Sequence, residues 1–331
     1  MSAVSVPPGI ADIRAAAARL AGLAVETPLL ESPVLNERFG ARLLFKPEVL
    51  QRTGSFKFRG AYNKISTLGP EDRSRGVVAF SSGNHAQGVA ASAAMFGIEA
   101  VILMPSDAPA MKIANVRRMG AEVVLHDRNE DRAALAAPFV EKGMVLVPPF
   151  DDPAVIAGQG TIGLELVAQA QRLGVALDVV VAPCGGGGLI GGISLAVKDA
   201  SPRTEVWAAE PEHFDDTRRS LAAGSRVANA PGHRSICDAL LTPVPGQITF
   251  AINRATLSGA VAVSQKAVAA AMRDAMAHLK LVVEPGGATA FAALSSGEID
   301  IKGKTVAVVL SGGNVDFELY ADIMASRPPY D

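Results

Sequence analysis

The stretch Thr53-Gly54-Ser55-Phe56-Lys57-Phe58-Arg59-Gly60-Ala61 sets one lysine between two glycines, where a polar turn gives way to helical spacing. Gly54 and Ser55 read as turn and N-cap residues, and Ala61, Tyr62, Ile65 and Leu68 follow at helical spacing. Lys57 then falls in the first turn, where the positive end of the helix dipole disfavours a cation. A neighbouring positive potential lowers an amine's pKa, and a lysine that can shed its proton can attack a carbonyl. Taken alone, the same lysine also suits a solvated charge beside Arg59.

A second chemical element is Pro183-Cys184-Gly185-Gly186-Gly187-Gly188-Leu189-Ile190-Gly191-Gly192, which follows an apolar run and precedes a helical pattern. Bare N–H groups at a helix N-terminus bind phosphate, and glycine lets the oxygens approach. The tract contains Gly186-x-Gly188-x-x-Gly191, and Glu210 closes the next strand where a dinucleotide fingerprint places its ribose acid. That combination points to a nicotinamide-dependent oxidoreductase. The tract serves one phosphate monoester equally well. Close packing with no ligand is a third reading, set against the entropic cost of four consecutive glycines. Ser81-Ser82-Gly83-Asn84-His85 and Ser311-Gly312-Gly313-Asn314 mark two more turns at strand ends, the places where open α/β sheets hold ligands. A lysine, a phosphate cradle and a hydroxyl donor converging on one crevice suit pyridoxal 5′-phosphate, held as a Schiff base.

These four motifs, in this order over residues 10–325, resemble those of the serine/threonine dehydratase and serine racemase family of fold-type II pyridoxal-phosphate enzymes. The resemblance implies that Lys57 carries the cofactor and Phe56 packs beside its ring. It gives Asn84 the ring's phenolic oxygen, and Gly185, Gly186, Gly187, Gly188 and Leu189 the phosphate. Ser311 would meet the pyridine nitrogen, and Ser81, Ser82, Asn84 and His85 would line the substrate face. Glu284 falls in a segment near the cofactor without an assigned role. Glu210, the Phe214 carbonyl and Asp216 resemble the divalent-cation segment of the racemase branch, hard oxygens suited to Mg²⁺, or to Ca²⁺ or Mn²⁺. A solvated acidic loop is the competing reading.

The implied activity is β-elimination of water from L-threonine or L-serine, giving a 2-oxo acid and ammonia. Lys57 would remove the α-proton, and Ser82 on the opposite ring face would allow serine racemisation as a side activity. Serine racemase or 3-hydroxyaspartate dehydratase as the main activity are the alternatives. A hydroxyaspartate enzyme needs a further cation; Arg132 lies one residue out of step with the family's substrate-side arginine. The chain stops near its last helix, so a C-terminal regulatory domain is not expected.

The elements that must position these residues follow from periodicity. Strands are expected at 42–46, 77–80, 100–104, 122–125, 144–147, 178–182, 205–209, 261–263 and 305–310, with an irregular stretch over 212–247. Residues 178–182 are almost wholly apolar, as a strand covered on both faces should be. The fold class is α/β: a tryptophan-synthase-β-like pair of open, twisted, mainly parallel sheets flanked by helices. Residues 1–75 and 148–331 are assigned to a large cofactor-binding domain, and 76–147 to a small inserted one.

With 49% hydrophobic and 19% charged residues, the 331-residue chain can fill large cores. A net charge of −2 without a basic block disfavours nucleic acid and anionic membrane as partners. Cys184 and Cys237 are too few for a disulfide framework and read as core filler. The absence of a long apolar run or signal core implies a soluble cytoplasmic protein. Apolar helices, together with the family, suggest a homodimer acting on a small amino-acid substrate.

Overall fold

Alternate residues of the apolar runs enter different cores, which is why those runs lack a polar face. In β1 (Arg42–Pro47), Leu43 and Phe45 join one buried cluster and Leu44 another. The computed structural model describes residues 6–326 apart from 82, 109, 128 and 129. The remaining strands are β2 (Val77–Phe80), β3 (Ala100–Pro105), β4 (Glu122–His126), β5 (Val145–Leu146), β6 (Val179–Pro183), β7 (Glu205–Pro211), β8 (Gly259–Val263) and β9 (Thr305–Leu310). They form a five-stranded sheet in the order β1-β9-β6-β7-β8 and a four-stranded sheet in the order β4-β3-β2-β5. Every strand pair in both sheets is parallel.

Parallel strands need crossover helices, and these cover both faces of the larger sheet. Helices Pro153–Arg172 and Gly188–Ala200 cover one face through Ile162, Leu166, Ile190 and Ile193. Helices Gln265–Asp274 and Pro285–Ala293 cover the other through Val268, Met272 and Phe291. The helix Lys57–Ser66 gives Ala61 and Ile65 to the core of the smaller sheet, beside Val77, Ala79 and Val89.

The strand orders fix where a ligand can sit. From β6 the chain moves outward through β7 to β8, whereas β9 lies on the other side of β6, so the order reverses between β6 and β9. The smaller sheet reverses likewise between β2 and β5. Crevices open beyond the carboxyl ends of strands at such reversals. Beyond β6 and β9 lie the tetraglycine and Ser311; beyond β2 and β5 lie Ser81–His85 and Val147–Phe150.

The irregular stretch expected over 212–247 contains a helix, Asp216–Ala223, and Gln247–Thr256 opens another at its end. The Asp215 side chain does not cap the first and Gly246 has no side chain to cap the second; each is capped by a carboxylate from outside the helix. Glu210 accepts the Thr217 and Arg218 N–H groups at 2.9 and 2.8 Å, and Asp151 caps the second helix. Pro33–Phe39 is a further helix beyond those read from sequence, closed by Gly40 in the left-handed region.

Candidate active site

Lys57 opens the helix Lys57–Ser66, but Ser55 is not its cap. Phe56 takes the N-cap place with helical dihedrals, while Ser55 is extended, buried and bridged to Gly312. The Phe56 N–H donates to the Ser311 carbonyl at 3.0 Å, which ties the lysine turn to the end of β9. Next along the helix, Arg59 is buried and donates to Glu48 at 2.8 and 2.9 Å and to Glu165 at 2.9 Å. Lys46, also buried, donates to Glu165 at 2.6 Å, so the anchor balances two cations with two carboxylates.

The Lys57 amine donates to the Pro149 carbonyl at 2.6 Å and lies 5.1 Å from the centre of the Phe56 ring. Burial pushes the amine down to about 8, against the Glu284 carboxylate, which holds it up. Desolvation is therefore the main cause of its depressed pKa, where the sequence had suggested the helix dipole.

Asn84 begins the helix Asn84–Phe96. Its amide nitrogen donates to Glu284 at 2.6 Å, and its oxygen accepts from the Asn314 amide at 2.7 Å. Asn314 also donates to the Thr53 carbonyl at 2.7 Å. Three of the four sequence motifs thus meet through Asn84 and Asn314. Burial, with Asp238 adding to it, pushes the Glu284 carboxyl up to about 7. His85 is buried; its Nε2 donates to the Val147 carbonyl at 2.8 Å and its Nδ1 has no partner. Burial, and then the Lys57 charge, hold the imidazole down at about 3, so it is neutral. A neutral ring brings no positive charge to this turn, which leaves the N–H groups at the helix start as its source of positive potential. The Ser81 hydroxyl accepts the Gly83 N–H at 3.2 Å. Ser82 lies outside the described residues, as does the Arg132 side chain.

The glycine tract tests whether a phosphate fits. Gly187 has φ +91°, a conformation L side chains rarely adopt, and it is the N-cap of Gly188–Ala200. A Cβ on Gly186 would run into the Phe150 ring, and one on Gly188 would come within 2.9 Å of the Phe150 carbonyl. The first N–H groups of this helix have no carbonyl inside it to bond. Bare backbone, a helix N-terminus and an amine with a depressed pKa fit a cofactor that carries one phosphate and one carbonyl.

A fold with two parallel sheets whose reversal points share a lysine and a glycine cradle defines a class of cofactor-dependent α/β enzymes. Residues 20–312 match the family described as "Pyridoxal-phosphate dependent enzyme". The chain belongs to that family, and its arrangement is that of fold type II. It is 40% identical over 325 residues to the L-threo-3-hydroxyaspartate ammonia-lyase of Saccharomyces cerevisiae, covering 97% of this chain and 98% of that protein. It is 43% identical over 310 residues to the L-threonine ammonia-lyase of Thermotoga maritima, covering 93% of this chain and 76% of that protein. The structure of maize serine racemase superposes with a TM-score of 0.89 at 36% identity, covering 96% of this chain and 97% of that one. The nicotinamide reading gives way to this membership. Both Glu210 oxygens accept N–H groups within the fold, in place of a ribose.

The carboxylates singled out for a cation lie close together. Glu210 and Asp216 are fully buried and Phe214 is half-buried. Asp216 accepts the Asn229 amide at 2.7 Å on one oxygen, and the other is buried without a partner. Burial pushes Glu210 up to about 8, with Asp216 adding to it, and pushes Asp216 up to about 6. Two such carboxylates and a backbone carbonyl fit a hard divalent cation. Among the described residues, no three His, Cys, Asp or Glu side chains gather as a metal cluster. Cys184 and Cys237 are buried, and burial raises both thiols, Cys237 to about 12.

No sequence signal marked the Pro149 carbonyl or Thr249, which donates its hydroxyl to the Gly186 carbonyl at 2.6 Å. Both contacts depend on which strands neighbour each other.

Proposed function

We propose that this protein is a lyase that removes water from a 3-hydroxy amino acid, L-threonine or L-serine, to give a 2-oxo acid and ammonia. The relatives named as ammonia-lyases support the reaction class, and the racemase relative supports serine racemisation as a side activity. The observation that carries the reading is the Lys57 amine, held at the reversal of both sheets with its pKa near 8. When bound, pyridoxal 5′-phosphate supplies an electron sink that makes the α-C–H bond acidic and lets the β-hydroxyl depart.

The roles of the protein groups follow. Lys57 holds the cofactor and, once freed, takes the α-proton; at pH 7 roughly a tenth of such an amine is neutral. Gly185, Gly186, Gly187, Gly188 and Leu189 would hold the phosphate, and Phe56 would pack beside the ring. Asn84 serves the phenolic oxygen. Ser311 would offer the cofactor's ring nitrogen a hydroxyl rather than a carboxylate, a partner that would not protonate it and would favour elimination over transamination. The N–H groups at the start of Asn84–Phe96 receive the substrate carboxylate between Ser81, Ser82 and His85. Ser82 acts from the opposite face.

We place Mg²⁺, or another divalent cation, between Glu210, the Phe214 carbonyl and Asp216. The unpartnered Asp216 oxygen supports that site. A homodimer, cytoplasmic residence and a small domain over 76–147 belong to the same proposal. Among the described residues no helix is long and apolar enough to cross a membrane.

The test is the visible spectrum of the purified protein, followed by separate additions of L-serine, L-threonine and 3-hydroxyaspartate. A cofactor band that shifts with substrate as 2-oxo acid appears supports the reading and ranks the substrates. A protein that stays colourless and inert after pyridoxal phosphate is supplied rejects it.

A further inference from the structure

Two helix N-termini meet at the glycine tract, and only one of them is open. The helix Gln247–Thr256 begins beside Gly186, whose carbonyl accepts the Gly246 N–H at 3.4 Å. Its first three N–H groups are all taken by Asp151. One carboxylate oxygen accepts from Gln247 at 2.8 Å, and the other accepts from Ile248 at 2.9 Å and Thr249 at 3.1 Å. A resident carboxylate thus occupies the seat where a second anion would bind.

The same helix grips the back of the tract. Thr249 donates its hydroxyl to the Gly186 carbonyl at 2.6 Å. Four residues on, and so on the same helix face, Asn253 brings its amide to 3.5 Å from the Gly187 carbonyl. That carbonyl also accepts the Gly191 N–H at 2.9 Å. Thr249 and Asn253 are both fully buried. No peptide bond among the described residues is cis. In a trans peptide the C=O and N–H point in opposite directions. Fixing the Gly186 and Gly187 carbonyls against Thr249 and Asn253 therefore turns the Gly187 and Gly188 N–H groups the other way, toward the open end of Gly188–Ala200.

We propose that Asp151, Thr249 and Asn253 are positioning residues that aim the Gly187 and Gly188 N–H groups at one phosphate and close the neighbouring helix end to it. The proposal rests on the pyridoxal-phosphate reading above. None of the three needs to touch the reacting atoms, and their effect falls on the phosphate rather than the ring. Losing them weakens a phosphorylated ligand and spares its unphosphorylated counterpart.

Equilibrium dialysis of the purified enzyme, Thr249→Val and Thr249→Ser against pyridoxal 5′-phosphate and against pyridoxal tests this. The expected result is about tenfold weaker binding of pyridoxal 5′-phosphate by Thr249→Val, the scale of one hydrogen bond. Pyridoxal binding stays unchanged, and Thr249→Ser restores the parent value. Equal retention of pyridoxal 5′-phosphate by Thr249→Val overturns the proposal, and so does an equal loss of both ligands. If circular dichroism shows Thr249→Val unfolded, Asp151→Asn is read by the same two criteria. A parent protein that takes up neither ligand sinks the cofactor reading itself, an outcome distinct from a parent that binds and a variant that binds equally well.

Discussion

Glu284 accepts the side-chain amide of Asn84 at 2.6 Å, joining the turn after β2 to a helix start 200 residues further along the chain. The Asn84 amide is thereby oriented, because its oxygen is already spent on Asn314. The carboxyl on the other side of this bond is held near pH 7 by burial.

Glu284→Gln keeps an acceptor for Asn84 and removes the ionisation. With its pKa raised from 4.5 to about 7, the native carboxyl keeps a proton that the unfolded chain releases between those values. Stability from this group therefore falls as pH rises through that window, and the loss is complete above it. Melting temperatures of the variant should vary less between pH 5 and 7, and at pH 8 the variant should be more stable than the parent by on the order of 1–3 kcal/mol. A variant whose melting curve declines with pH as steeply as the parent's counts against this assignment.

The Lys57 amine titrates near 8 rather than 10.5. Uptake of pyridoxal phosphate by cofactor-stripped protein should therefore quicken as pH rises, with its midpoint near 8, and level off above it. Lys57→Ala should lose the visible band and, with its base gone, slow turnover by about 10²–10⁴-fold or more. Parent-like turnover by this variant without added amine would refute its role.

Asp216 carries a buried oxygen with no partner, so a cation bound there should stabilise the native state. Added Mg²⁺ or Ca²⁺ is expected to raise the melting temperature, the gain in stability being about 2.7 kcal/mol at a hundred times Kd. Asp216→Asn should not respond. An identical rise in both proteins places the ion elsewhere.

Ser82→Ala should lose racemisation of L-serine far more than elimination from it, because only racemisation needs a proton donor on the opposite face. Chiral chromatography of serine alongside a 2-oxo acid assay separates the two. Equal losses would argue against a specific opposite-face role.

Arg59→Met breaks the buried anchor beneath the lysine helix and leaves Glu48 without its ion-pair partner, with the Thr27 hydroxyl still bonded to it. A loss of about 3–5 kcal/mol is expected from stranding such a charge, read by urea unfolding. Stability within 1 kcal/mol of the parent would show that the network has rearranged at little cost.

The sequence by itself determined the strands, most of the helices and the four glycine-bearing turns at strand ends and helix starts. Apolar periodicity and glycine placement are local, and they record how each segment is buried or bent. Fully apolar runs such as that of β6 announced a sheet covered on both faces, and the tetraglycine announced a bare-backbone helix start. Partnership across the fold was decided by tertiary structure. Lys57 meets Pro149 because the lysine helix packs on the smaller sheet while the loop after β5 returns to the larger. Asp151 caps a helix 96 residues away, and Glu210 caps the one that follows β7. Ser55 lost its expected capping role to the bridge with Gly312. The order of strands places such distant polar groups within hydrogen-bond reach, and buried polar groups must then satisfy one another. No local pattern in the chain encodes that pairing.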